Sequence, residues 1–124
     1  AFGVDWLCFD PAGADPYSRR AIRASAGLVF GQPLSHLSPD VALPQCDTHG
    51  FVRLAATLHP EAQPLPLPEN PAKWALCVGN EGQGLQDDTI AACDRQVTIP
   101  MQGGVDSLNV AAATAVLLFA LTRV

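Results

Sequence analysis

Apolar and polar positions along the chain change over in short blocks. Val4 to Phe9 (VDWLCF) is almost continuously apolar, the pattern of a buried strand in a parallel sheet. Asp10-Pro11-Ala12-Gly13 closes it with turn residues. Ser18 to Gly27 predicts a helix, with Ser18 placed to cap its start and Gly27 to end it. From Phe30 to Gly50 the pattern is broken by Pro33, Pro39 and Pro44, which predicts loops with at most a short helical turn. Phe51 to Leu58 (FVRLAATL) predicts a strand. Pro60, Pro64, Pro66, Pro68 and Pro71 follow. Proline this dense removes donors and fixes φ, so the expectation is a stiff, extended surface connection that is neither helix nor sheet.

Trp74 to Val78 (WALCV) predicts the most clearly buried strand, and Gly79 to Gly84 a glycine-rich turn after it. Leu85 to Cys93 predicts a helix with Asp87 and Asp88 in its first turn. Gln96 to Ile99 predicts a strand stopped by Pro100, and Gly103-Gly104 a loop. Ser107 or Asp106 is then expected to cap a helix running to about Thr122, apolar all round and hence buried on most sides. The alternation of strand and helix predicts an α/β fold with a mostly parallel sheet and helices on both faces. No internal repeat or second domain is visible, so residues 1–124 are expected to be one domain.

Composition narrows the functional classes. A chain of 124 residues that is 48% hydrophobic can bury a core and is not disordered. Seven Lys and Arg against 12 Asp and Glu give a net charge of −5, which argues against polyanion binding by the chain as a whole. Arg19, Arg20 and Arg23 are the one dense basic cluster and the candidates for phosphate contacts; a solvated helix face is the plainer alternative. Cys8, Cys46, Cys77 and Cys93 form no C-x-x-C pair and are read as reduced thiols of a cytoplasmic protein. Cys46 and His49 lack a second ligand pair, so no metal is expected. Val110 to Leu121 is far shorter than the roughly 20 apolar residues of a membrane span, and Ala1 to Asp10 lacks a signal peptide's basic start.

Two segments remain, each after a predicted strand. Gly79-Asn80-Glu81-Gly82-Gln83-Gly84-Leu85 places three glycines where backbone can approach a ligand, at the carboxyl end of a strand. It has neither P-loop nor dinucleotide spacing. Taken alone it is a strand-to-helix turn, and Glu81 can be a dipole complement. The second, Ile99 to Val110 (IPMQGGVDSLNV), reads as a capped helix entry, except that the amide of Asn109 needs a partner if the helix is buried.

In order and spacing, VGNEGQGL followed by IPMQGGVDSLNVAAA resembles motifs 2 and 3 of the SpoU (TrmH-like) branch of the SPOUT RNA methyltransferases. AFGVDWLCF and DPYSRRAIRASAGLVFGQPL resemble the region that follows motif 1 in that family. The resemblance spans nearly the whole chain. It implies a deep C-terminal trefoil knot, S-adenosylmethionine as cofactor, a homodimer paired through the last helix and knot region, and methyl transfer to a ribose 2′-OH of tRNA or rRNA, with no DNA or membrane partner. Val78, Gly79, Gly82, Ile99, Met101, Ser107 and Leu108 are the implied cofactor-binding residues. Ser107, Asn109, Glu81 and Asn80 map to catalytic-site positions.

The family's motif 1, with its Asn and Arg, would precede Ala1. The chain is therefore expected to be an N-terminally incomplete catalytic portion, inactive alone, and Arg19, Arg20 and Arg23 do not inherit the motif 1 role. Ala120 stands where many relatives carry Glu. The alternative reading is a non-catalytic RNA-binding or cofactor-sensing relative. A base-modifying branch is disfavoured by Ser107-Leu108-Asn109.

Overall fold

The computed structural model describes residues 1–123. In chain order its elements are β1 (Leu7–Phe9), α1 (Arg19–Ala24), a 3-10 turn (Leu28–Gly31), β2 (Leu34–His36), α2 (Pro39–Thr48), β3 (Val52–Ala56), β4 (Gln63–Pro64), β5 (Trp74–Cys77), α3 (Asp87–Ala91), β6 (Arg95–Thr98) and α4 (Val110–Thr122). Every strand pair is parallel, so the α/β reading holds. The strands form two sheets, however, not one: β1-β2 and β4-β6-β3-β5. The described chain divides into two compact units, one made of Ala1 and Gly3–Ala42 and the other of Phe2 and the residues from Leu43 on. No helix among the described residues is long and apolar enough to cross a membrane.

In the first unit, β1 is half the expected length and is not buried. It pairs on one side only, Leu7 opposite Leu34 and Phe9 opposite His36, and Cys8 is exposed. Ser18 caps α1 as expected, its hydroxyl accepting from the Ala21 amide at 3.2 Å. The helix stops earlier than Gly27. Ala26 takes the left-handed position at φ 51°, and the Ala26 and Gly27 amides return to the carbonyls of Arg23 and Ile22, the Schellman arrangement.

Two elements lie where loops with at most a short helical turn were expected. β2 is one. The other is α2, whose ten residues include Pro44. Pro39 stands in its first turn, where a missing N–H costs nothing. Gly50 ends the helix at φ 77°, with its amide on the Asp47 carbonyl and that of Phe51 on Cys46. Pro44 forfeits one internal hydrogen bond, and burial of its neighbour Leu43 offsets that loss.

The second unit is built on β3. Flanked by β5 and β6, with Leu54 opposite Leu76 and Arg95, it carries the fully buried Leu54 and Ala55. The most buried strand is thus β3, while β5 is half-buried along its length. Leu54, Leu65, Leu67, Val97, Leu117 and Leu121 make the core.

Leu65 and Leu67 belong to the proline-rich segment, which is not a surface connection. Gln63 and Pro64 pair with Val97 and Thr98, and the Leu65 amide donates to the Thr98 carbonyl at 2.9 Å. Pro64, Pro66 and Pro68 are exposed while the leucines between them are buried and reach the core. The same segment ends in Asn70, whose Nδ2 lies 2.9, 3.2 and 3.2 Å from the carbonyls of Ala120, Leu121 and Arg123. These are orphan acceptors at the end of α4. Asn70→Asp replaces that donor with a carboxylate at a negative helix end. It should cost about 2–3 kcal/mol in a urea melt, with Asn70→Ala losing less.

α4 buries one side, not most sides. Leu117 and Leu121 are buried, whereas Val116 and Phe119 are exposed. α3 is shorter than expected, starting after Gln86 with Asp87 and Asp88 in its first turn. It leads into Asp94, which accepts from Arg53 Nε and Nη2 at 3.1 and 3.0 Å and from the Arg53 amide at 2.7 Å. Arg53 also meets Asp47 at 3.2 Å. The hydrogen bonds from Arg53 hold the Asp94 carboxyl down at about 2. A depressed carboxyl contributes stability above its unfolded pKa and loses it as pH falls through the folded one. Stability should therefore decline between about pH 4 and pH 2, and Asp94→Asn should flatten that part of an acid titration followed by circular dichroism.

Candidate functional site

The site is assembled at the ends of β5 and β6, both in the second unit. β5 delivers Val78 and Gly79 half-buried into the glycine-rich loop. A Cβ on Gly79 would stand 2.1 Å from the Gly84 carbonyl carbon and 2.3 Å from the Leu85 nitrogen. The loop folds back so closely that only glycine fits. The backbone approaching Gly79 is thus the protein's own. Gly84 turns the chain at φ 66°, and its amide donates to the Asn80 carbonyl at 3.1 Å. The Asn80 side chain also works inside the loop: its Oδ1 accepts from the amides of Gly82 at 3.0 Å and Gln83 at 2.7 Å. With these amides satisfied within the loop, the exposed Glu81 projects from a fixed turn.

β6 leads into the second segment. Ile99 and Met101 are half-buried, Gln102 to Leu108 are exposed, and Gly104 has φ 86°. Within 99–108 the one main-chain hydrogen bond among the described residues runs from the Val105 amide to the Gln102 carbonyl. Ser107 and Asp106 do not cap α4. Asn109 does: its Oδ1 accepts from the amides of Ala111 at 2.9 Å and Ala112 at 3.3 Å. Its short amide, in extended backbone immediately before the helix, reaches the orphan donors that Ser107 is too early to meet.

The other end of the same amide decides the geometry. Asn109 Nδ2 donates to Glu81 Oε1 at 2.8 Å. Residues 28 apart in sequence join the two loops by a charge-assisted hydrogen bond, a stronger kind than one between neutral groups. The partner expected for Asn109 is found, although the residue is exposed and not buried.

The remaining candidates divide by place. Val78, Gly79, Asn80, Glu81 and Gly82 share one loop; Ile99, Met101, Ser107, Leu108 and Asn109 share the other. Arg19, Arg20 and Arg23 lie on α1 in the first unit, all exposed. Behind the first loop, Cys77 ends β5 and Cys93 follows α3, with their Sγ atoms 3.8 Å apart. That hydrogen bond draws the Cys93 thiol below its ordinary pKa. The sequence reading overlooked Asn70, the anchor for the far end of α4. Its one signal was a polar residue between prolines, and nothing local tells that position from any other turn.

The profile of the SpoU rRNA Methylase family matches residues 1–119. The chain belongs to that family. An uncharacterized tRNA/rRNA methyltransferase of Mycobacterium bovis is 38% identical over 124 residues, covering 97% of this chain and 43% of the relative. Among solved SpoU relatives, the crystal structure of an RNA 2′-O ribose methyltransferase superposes with TM-score 0.82 and 34% identity over 98% of this chain and 46% of that one. The SpoU methyltransferase AviRb of Streptomyces viridochromogenes, in complex with the cofactor AdoMet, gives TM-score 0.86 and 26% identity over 98% and 48%. The chain thus spans less than half the length of these SpoU proteins.

Proposed function

We propose that the chain supplies the cofactor loops and part of the catalytic site of an S-adenosylmethionine-dependent methyltransferase acting on a ribose 2′-OH of tRNA or rRNA. The observation that carries this reading is the Asn109–Glu81 hydrogen bond, which fixes both motif loops side by side. The residues suit such a cofactor. Ile99, Met101 and Leu108 offer apolar surface for an adenine, and among the described residues most main-chain polar groups of 99–108 have no main-chain partner.

S-adenosylmethionine, when bound, supplies an electrophilic methyl group on a sulfonium. Val78, Gly79 and Gly82 hold the first wall of the cleft, and Ile99, Met101, Ser107 and Leu108 the second. Glu81, steadied by Asn109, sets a negative charge at a defined point, favourable beside a cation. The ribose hydroxyl is a weak nucleophile until its proton is drawn away, and the exposed Ser107 hydroxyl can orient it. Asn80 acts one step back, by shaping the loop that presents Glu81. Arg19, Arg20 and Arg23 contribute phosphate contacts.

The reading extends to the trefoil knot and to a cytoplasmic homodimer. Packing of α4 with Leu65 and Leu67 and the Asn70 clasp support a C-terminal helix tied along one side to the proline-rich segment. Exposed Val116 and Phe119, at 42% and 52%, suit a helix pairing with its copy.

The test is calorimetric titration of S-adenosylmethionine into the intact enzyme, followed by mass spectrometry of ribose-methylated nucleosides in RNA from a deletion strain. Binding together with one lost 2′-O-methyl mark is expected. Binding with every mark retained would favour the non-catalytic relative, and no binding would overturn the proposal.

A further inference from the structure

The first unit holds a stacked pair of aromatic rings at its surface. Tyr17 and Phe30 stack with centroids 5.8 Å apart and planes 14° from parallel, yet Tyr17 is 44% and Phe30 65% exposed. The backbones beneath both rings are fixed locally. The Tyr17 amide donates to Asp15 Oδ1 at 2.9 Å. The Phe30 amide closes the 3-10 turn on Gly27 at 3.2 Å, next to the buried Val29.

The charge around this pair is equally distinctive. Between Asp15, whose carboxylate meets the Tyr17 amide, and Asp40, the charged residues are Arg19, Arg20 and Arg23, in a chain whose acids outnumber its bases 12 to 7. α1, which carries the three arginines, begins two residues after Tyr17. Among the described residues none of these arginines is in an ion pair, whereas Arg53 is held by two carboxylates. Near-parallel rings offer a planar face on which another planar ring can stack. Unpaired guanidinium groups nearby favour phosphate over an apolar peptide.

We infer that Tyr17 and Phe30 form a stacking platform for an unpaired nucleobase of the RNA, with Arg19, Arg20 and Arg23 holding the adjoining phosphates. The inference rests on the RNA reading above and adds to it a subsite for single-stranded nucleotides. A base within a duplex is already stacked and cannot reach the platform; a looped-out or terminal base can.

The test uses the intact protein and a short single-stranded RNA containing 2-aminopurine, with the same RNA as a duplex for comparison. Wild-type protein should quench the 2-aminopurine fluorescence and bind the single strand more tightly than the duplex. Phe30→Leu keeps apolar volume without a π face. It should bind the single strand about 10-fold more weakly or worse, lose the quenching and keep the salt dependence of binding. Phe30→Trp should restore both properties. Arg20→Gln with Arg23→Gln should instead lower the salt slope.

Unchanged affinity and quenching in Phe30→Leu, with wild type binding RNA normally, would overturn the platform and leave the RNA reading standing. Failure of wild type to bind either form of RNA would overturn both. S-adenosylmethionine titration of each variant, expected to match wild type, confirms that the protein is folded.

Discussion

Asn109→Asp is expected to keep α4 capped while separating the two loops. Asp caps a helix as well as Asn does and suits its positive end, so the variant should lie within about 1 kcal/mol of wild type in a denaturant melt. The face toward Glu81 fares differently. An amide that donates at 2.8 Å is replaced by a carboxylate against a carboxylate, and like charges at hydrogen-bond distance cannot both stay ionised and close. Displacing a positioned group by about 1 Å can cost 10²-fold in rate. Methyl transfer by the intact enzyme should fall by roughly that factor, with weaker S-adenosylmethionine binding. Adding Glu81→Gln supplies a donor to the new carboxylate and should recover much of the loss. If the double variant is as impaired as Asn109→Asp alone, the loop-to-loop hydrogen bond is not what the enzyme needs. Asn109→Ala mixes both effects and is the less informative change.

Gly79→Ala is expected to be the most damaging single methyl group in the molecule. Its Cβ would meet main-chain atoms of Gly84 and Leu85 at 2.1–2.5 Å, and backbone has no rotamer with which to yield. Overpacking costs 1–3 kcal/mol where side chains can shift, so a loss of about 3 kcal/mol or more is expected here. S-adenosylmethionine affinity should drop at least 10-fold as the loop opens. Gly82→Ala, whose nearest contact is Asn80 Oδ1 at 3.6 Å, should cost under about 1 kcal/mol. Calorimetric titration and thermal melts of the pair decide the matter; equal behaviour of the two variants would refute this account of Gly79.

The sequence announced the parallel α/β architecture because strand-like runs and helical runs alternate within local windows. It announced the two loops because glycine clusters and their spacing are local as well. What escaped it depends on distant partners. Ser107 and Asp106 are good caps by composition, but the cap is Asn109, chosen where its amide can also meet Glu81. Pro39 and Pro44 argued against α2, although Pro39 and Gly50 were fitting start and stop signals that proline density obscured. The proline run between 60 and 71 was read by its donors alone. Its alternate leucines, which take it into the core, carry no helical period and too short a strand period to register. Burial of β1 and α4 was overstated because an apolar run shows what a segment could bury, not how many neighbours it has.

The make-up of β4 has an effect beyond packing. Pro64, exposed, ends the two-residue outer strand of the four-stranded sheet, and Pro66 and Pro68 follow it, exposed as well. An extended segment from another molecule that tried to lengthen the sheet there would find no N–H at Pro64 to bond with. Proline there makes the border at β4 a poor template for strand-by-strand aggregation.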